Sequence, residues 1–255
     1  MKPRLNERQE TILTLLHEEG EVKIAALSKR FDVTEMTIRR DLEKLEQLSL
    51  LFRTLGGAIP AASADMTVSE RSAVYTEEKS AIGRLAASLI QPGDAVFIDA
   101  GTTTLQIARA LPRGFDATIV TNALNVAAEL MGKQIQTIVV GGILREATSS
   151  LVGPHAEELI AKMAFDKVFI GASGFTVEHG FSNSNVFEAE VKRLAMAQAG
   201  EVVIVLDHTK FGIRSLASFA SLGHANRIVT DRRPPEGIVE ACQEASVQIS
   251  IPEDV

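Results

Sequence analysis

Two hydrophobic periods divide the chain. From Asn6 to Glu46 apolar residues recur at helical spacing. Leu5, Ile12, Leu15 and Leu16 share one face of a first helix, and Gly20 reads as its stop. The stretch "KIAALSKRF" predicts a short second helix that packs Ile24, Leu27 and Phe31. After an Asp-Val turn comes "VTEMTIRRDLEKLE", residues 33–46. Thr34 is its predicted N-cap, because a threonine hydroxyl can accept a free backbone N–H. At about 100° per residue, Ile38, Leu42 and Leu45 line one stripe. "LLFRTLGGAIP" follows as two short extended pieces about a turn closed by Gly56-Gly57, a small β-wing. "PAASAD" (60–65) has no large apolar side chain and reads as linker.

Beyond it the period changes. Short strand-like runs appear at 94–99, 117–121, 136–141, 167–172, 201–207, 227–231 and 247–251. Helical stretches alternate with most of them: "TTLQIARAL", "ALNVAAELM", "PHAEELIAKM", "FEAEVKRLAMAQ" and "EGIVEACQEA". Alternating β and α units predict a mostly parallel sheet covered on both faces. In such sheets ligands sit at the carboxyl ends of the strands. The expectation is therefore a small α+β winged helix–turn–helix domain at 1–58, a linker at 59–74, and a larger α/β domain at 75–255.

Charge narrows the DNA reading to a local surface. Residues 1–60 balance ten basic against ten acidic side chains, so the remainder supplies the whole net charge of −7. DNA binding must then come from one face. On the third helix Arg40 points away from the buried stripe, with Thr37 and Lys44 on one flank and Arg39 on the other. Arginine can grip guanine or phosphate, and threonine can touch either. The competing reading is a solvated face on which Glu35, Asp41, Glu43 and Glu46 balance the basic residues. The helix–turn–helix spacing and the wing favour DNA. A single cysteine, Cys242, rules out an intrachain disulfide and fits a reducing compartment. The first residues, "MKPRLNERQE", hold no apolar run, which predicts no signal peptide. A cytoplasmic protein without a membrane partner is expected.

"VFIDAGTTTLQIARAL" is a strand, a tight turn and a helix. Gly101 lets the backbone turn, and Thr102, Thr103 and Thr104 bring donors to a helix start, where an anion is favoured. Neither a P-loop nor a dinucleotide fingerprint is present. A plain N-cap would need one threonine. Further polar clusters fall after strands: Thr121-Asn122, Gly141-Gly142 with Arg145, "GFSNSN" with Glu188 and Lys192, and "DHTKFG". Each alone could be a turn. His179 and His208 lack companions at metal-ligand spacing, so no metal and no cofactor is expected.

"TIRRDLEKLE" followed by "RTLGGA" resembles the winged helix–turn–helix of the DeoR family of bacterial transcriptional regulators. The resemblance covers about residues 1–58. It implies a helix–turn–helix at about 22–41, with 34–46 as recognition helix. It also implies DNA contacts from Thr34, Thr37, Arg39, Arg40 and Lys44, and a backbone contact from Arg53 in the wing. Lys23 departs from the small polar residue expected there. The second half is similar to the DeoR sensor domain, of ribose-5-phosphate isomerase-like fold, through "DAGTTT", "VTNALNVAAEL", "VVGGILR", "EVKR" and "DHTKFG". That implies a regulator, most consistent with a repressor of a carbohydrate or polyol operon. Its effector would be a phosphorylated sugar or polyol. The phosphate would sit on Gly101, Thr102, Thr103 and Thr104, with Lys192, Lys210 or Arg145 adding positive charge. Asp99, Asn122, Asn183 and Glu188 would meet the hydroxyls, with Gly142 and Asp207 beside them. Isomerases of this fold carry an Asp-Gly-Ala-Asp motif where this chain has Gly171 and Gly174. A glycine cannot abstract a proton, so no catalytic residue is assigned. The alternative is a sugar-phosphate isomerase or deaminase with a DNA-binding appendage, using Glu188, Glu190 and Asp207. Paired half-sites imply a homodimer or homotetramer on operator DNA.

Overall fold

The computed structural model describes residues 5–19, 21–47, 50–53, 56–60, 71–72 and 75–252. The expected helix stop at Gly20 and the 60–65 linker fall wholly or mostly outside them. The chain forms two units, residues 1–74 and 75–255.

In the first unit, helices Glu7–Glu19, Ile24–Phe31 and Glu35–Gln47 close over one core. Ile12, Leu16, Ile38, Leu42 and Leu45 are fully or almost fully buried in it, as the helical period requires. Strands β2 (Leu51–Arg53) and β3 (Gly57–Pro60) form the antiparallel wing. A third strand, β1 (Val22–Lys23), pairs with β3. Two residues carry too little pattern to announce a strand. Gly57 permits that pairing: a β-carbon there would lie 1.8 Å from the Val22 carbonyl oxygen.

The second unit is built on a seven-stranded sheet. Its strands are β4 (Ala95–Ile98), β5 (Thr118–Thr121), β6 (Gln136–Val139), β9 (Phe165–Gly171), β12 (Ala199–Val205), β14 (Arg227–Val229) and β15 (Gln248–Ser250). The order is β15-β14-β12-β9-β4-β5-β6, every pair parallel. These are the seven runs expected from hydropathy. The five inner strands read as near-continuous apolar segments because both faces are buried, while the edge strands β6 and β15 stay partly exposed. Val96, Ile98, Phe169, Val203 and Val205 face one layer, with helices Thr76–Ser88, Thr104–Ala110 and Leu124–Leu130. Phe97, Val168, Ile170, Val202 and Ile204 face the other, with helices Pro154–Ile160, Val186–Ala197 and Glu236–Glu244.

From β4 the chain winds outward to β5 and β6, then crosses back to β9 on the other side of β4. The winding direction therefore reverses between β4 and β9, the place where such sheets leave a crevice beyond their carboxyl ends. Two smaller sheets rise at that end: the hairpin β7 (Ile143–Arg145) with β8 (Ser150–Val152), and β10 (Gly174–Thr176), β11 (Gly180–Asn183) and β13 (Ala217–Ala220).

Candidate functional site

Asp99 follows β4 directly, and its side chain crosses the reversal point. Its Oδ2 accepts the Gly171 N–H from the end of β9 at 3.1 Å and a hydrogen bond from Lys192 Nζ. Aspartate and lysine are both almost fully buried. Burial pushes the Asp99 carboxyl above its ordinary range, against the pull of the Lys192 ammonium and the Gly171 N–H.

Lys192 stands one turn after Glu188 on helix Val186–Ala197. Asn185 starts that helix: its side-chain oxygen accepts from the N–H groups of Phe187 and Glu188. Glu188 Oε1 accepts from Ser150 Oγ on β8 at 2.9 Å, and Oε2 from Asn183 Nδ2 on β11 at 2.8 Å. Arg145 Nε on β7 is 3.8 Å from Glu188 Oε2. Burial alone would raise the Glu188 carboxyl. The charges of Lys192 and Arg145 and the hydroxyls of Thr148 and Ser150 together hold it below the usual range. Asn183 Oδ1 in turn accepts from Ser173 Oγ at 2.7 Å. Both small sheets and one helix thus converge on a single carboxylate.

The threonine turn lies beside this cluster. A β-carbon placed on Gly171 would be 3.6 Å from Asp99 Oδ2 and 3.9 Å from Thr104 Cγ2. The three threonines do not cap helix Thr104–Ala110, since Thr103 at the capping position makes no side-chain capping bond. Thr102 and Thr104 are buried, Thr103 half-buried. Thr104 Oγ1 is sealed from solvent without a hydrogen-bond partner among the described residues, and so is Asn122 Oδ1 at the end of β5. The opposite end of the Asn122 amide donates to the Leu151 carbonyl at 3.1 Å, which fixes its orientation.

The "DHTKFG" loop leaves β12 next to the end of β9, where Val205 is in register with Gly171. Asp207 is buried and caps the following turn by accepting from Thr209 N at 3.1 Å. Burial works against its charge, but the ammonium groups of Lys210 and Lys79 hold its carboxyl below the ordinary range. Lys79 is a buried residue of helix Thr76–Ser88 that sequence reading missed. That helix interrupts its apolar stripe with Lys79 and with Gly83, whose β-carbon position would be 2.3 Å from Gln106 Cβ. A lysine on the inward face of a helix was the available signal.

Lys192 and Arg145 each face an internal carboxylate, Asp99 and Glu188. Lys210 and Lys79 both bear on Asp207. Gly142 is exposed, and its φ of 148° and close approach to the Val152 carbonyl set β7 against β8. Gly174 could not carry the acidic residue of the isomerase motif, since a β-carbon there would be 2.3 Å from the Ile213 carbonyl oxygen.

In the first unit, Thr34 accepts the Thr37 N–H at 3.3 Å, and the two hydroxyls lie 3.0 Å apart. Arg39 is exposed and 3.7 Å from Glu35. Arg40 is exposed and has no partner among the described residues. Lys44 is half-buried and donates to Gln9 Oε1 at 3.3 Å. Arg53 binds Glu46 at 2.6 Å, tying the wing to the third helix. Asp41 corrects the solvated-face expectation: it is 5% exposed and accepts from Arg8 Nε at 2.6 Å and Gln9 Nε2 at 2.8 Å. It fastens the first helix to the third. Lys23 precedes the second helix and makes no side-chain cap.

Residues 8–64 match the DeoR-like helix-turn-helix domain, and residues 74–232 match the DeoR C terminal sensor domain. The chain belongs to the DeoR family. Its DeoR relatives include the HTH-type transcriptional regulator GlpR of Haloferax volcanii, 38% identical over 88% of this chain and 89% of that one. An uncharacterized HTH-type transcriptional regulator of Bacillus subtilis is 35% identical over 96% and 95%. The glycerol-3-phosphate regulon repressor of Escherichia coli is 32% identical over 96% and 98%. These relatives are named as regulators or repressors, not enzymes. Among solved structures, a D-ribose-5-phosphate isomerase in complex with phospho-erythronic acid aligns with TM-score 0.41 and 14% identity, over 53% of this chain and 54% of that one. No helix among the described residues is long and apolar enough to cross a membrane.

Proposed function

We propose that this DeoR-family protein is a repressor of a carbohydrate or polyol catabolic operon. Two copies hold operator DNA through Thr34, Thr37, Arg39, Arg40 and Lys44, with Arg53 on the backbone. A phosphorylated sugar or polyol binds beyond the carboxyl ends of β4, β9 and β12 and lowers operator affinity.

One observation carries the effector reading. The Thr104 hydroxyl and the Asn122 amide oxygen, at the ends of the paired strands β4 and β5, are buried with no hydrogen-bond partner among the described residues. A buried polar atom left unsatisfied costs about 1–3 kcal/mol, so such a pair is best accounted for by a ligand that satisfies it. Polyol hydroxyls both donate and accept, which suits both atoms. Lys210, after the end of β12, provides positive charge for a phosphate, with Gly101, Thr102 and Thr103 as donors. The name of the Escherichia coli relative, a glycerol-3-phosphate regulon repressor, supports a polyol phosphate.

The test is thermal unfolding against glycerol 3-phosphate, hexose phosphates and the same compounds without phosphate, followed by anisotropy titration of DNA flanking the gene. An effector at 100 times its dissociation constant adds about 2.7 kcal/mol of stability. Stabilisation by one phosphorylated compound, with weaker DNA binding in its presence, is expected. No response across the panel would count against the sensor reading.

A side-chain test follows from Thr104. Thr104→Val keeps the shape and removes a hydroxyl that has no hydrogen-bond partner among the described residues. Stability without effector should stay level or rise slightly, and effector affinity should fall roughly tenfold, the equivalent of about 1.4 kcal/mol. Calorimetry and melting curves read the two effects separately. A variant that loses stability and binds normally contradicts the assignment.

A further inference from the structure

Tyr75 is the first residue of the second unit, next in the chain to the unit that carries the helix–turn–helix. It leads helix Thr76–Ser88 in a left-handed backbone conformation, φ 52° and ψ 43°. Its carbonyl accepts the Lys79 N–H at 3.0 Å and so closes the first turn. That conformation is unfavourable for a tyrosine and persists only where the surroundings hold it. The side chain is anchored on the candidate effector loop. The Tyr75 ring stands edge-on to the His208 imidazole, with centroids 5.3 Å apart and planes at 82°. Asp231, after β14, fixes His208 in turn: one carboxylate oxygen accepts its backbone N–H and the other meets Nδ1, both at 2.7 Å. His208 opens the single turn that ends at Lys210, whose N–H returns to the Asp207 carbonyl at 3.1 Å. Burial, and then the charge of Asp207, pushes the Tyr75 phenol up to about 12. Lys79 of the same helix bears on Asp207 as well. The start of this helix is thus tied to the loop at two points.

We propose that Tyr75 is the positioning residue that carries effector occupancy to the chain where it leaves the sensor unit. Docked on His208, it holds the left-handed start of the helix; a phosphate that draws in Lys210 turns His208 and releases it. The inference rests on the reading that a phosphorylated effector binds at Lys210. Asp207 to Lys210 is one tight turn, so a shift of Lys210 is passed to His208. Phosphate competes with Asp207 for the Lys210 charge, which gives the ligand the preference for one state that any such shift requires. Docked and released are two discrete arrangements of one backbone position, as coupling between separate sites needs.

The test uses the full chain. It has one tyrosine and no tryptophan, so emission excited above the phenylalanine band reports Tyr75 alone. The probes are glycerol 3-phosphate and glucose 6-phosphate, which do not absorb there. Whichever raises the melting temperature should also change the emission and open it to acrylamide quenching, with the midpoint that calorimetry gives for binding. Anisotropy titrations of DNA flanking the gene, with and without that compound, give the coupling factor. The wild type should show a factor of roughly 5–150. Tyr75→Phe keeps the ring and should keep the factor. Tyr75→Gly adopts the left-handed conformation freely and loses the ring, so effector affinity should stay at the wild-type level while the factor falls to about 1. Circular dichroism checks that both variants fold, and the emission measurement on the wild type stands whether or not they do. A melting shift without a change in emission, or an unchanged factor in Tyr75→Gly, would overturn this inference and leave the effector site standing. Folded Tyr75→Gly protein that no longer binds the compound would overturn it too, since Tyr75 would then belong to the binding site. No melting shift from either compound would overturn the effector reading and this inference together.

Discussion

Lys192→Met is expected to destabilise the sensor unit by about 3–5 kcal/mol, the cost of breaking a buried ion pair from one side. Methionine fills similar space, so packing changes little. What remains is Asp99, buried and without its cation, and Glu188, which keeps Asn183, Ser150 and Arg145. At this domain size the melting temperature should fall by roughly ten degrees. The sign of the pH dependence follows from burial. Without Lys192 the Asp99 carboxyl is pushed further up, so the folded variant binds a proton that the unfolded chain has already released. Stability of the variant therefore falls as pH rises from the ordinary aspartate value, about 3.9, through the raised folded value. The deficit should be smaller at mildly acidic pH than at alkaline pH. Asp99→Asn combined with Lys192→Met should recover most of the loss, since neither charge is left alone. Melting curves of wild type, single and double variants across pH check this. A double variant no better than the single one would show that the lysine acts through packing instead.

Arg40→Ala is expected to weaken operator binding roughly ten- to a hundredfold, about 1–3 kcal/mol, if the guanidinium pairs with a base. The fold should be untouched, because the side chain is exposed, lies opposite Ile38, Leu42 and Leu45, and makes no hydrogen bond or ion pair with a described residue. Arg53→Ala makes the contrast. It removes a phosphate contact and an exposed pair with Glu46, which contributes little to stability. Its effect should be smaller and nearly uniform across sequences, with a shallower salt dependence. Anisotropy titrations on operator and scrambled duplexes at several salt concentrations separate the two. An Arg40→Ala protein that keeps its preference for operator would remove the recognition helix from the reading surface.

The sequence by itself marked the seven strands of the large sheet and most of the helices, because the signals involved are local. The five inner strands of the large sheet are buried on both faces and so apolar throughout, and they stood out; β6 and β15 stood out through Ile138, Val139 and Ile249 although they are edge strands and partly exposed. The helical period marked Ile38, Leu42 and Leu45, and left Arg40 outward. The threonine turn after β4 was legible because Asp99, Gly101 and three threonines follow one another directly. Helix Thr76–Ser88 escaped because buried Lys79 and Gly83 break its stripe. The strands β1, β7, β8, β10, β11 and β13 escaped because they are two to four residues long and partly polar. Such strands exist only because another segment supplies their hydrogen bonds. Tertiary structure alone decided which charges are spent inside the protein. Asp99 and Lys192 meet across 93 positions, and Asp41 and Arg8 across 33. No local period encodes such partners. They are set by which strand ends and helix turns the closed sheet and the three-helix core bring together.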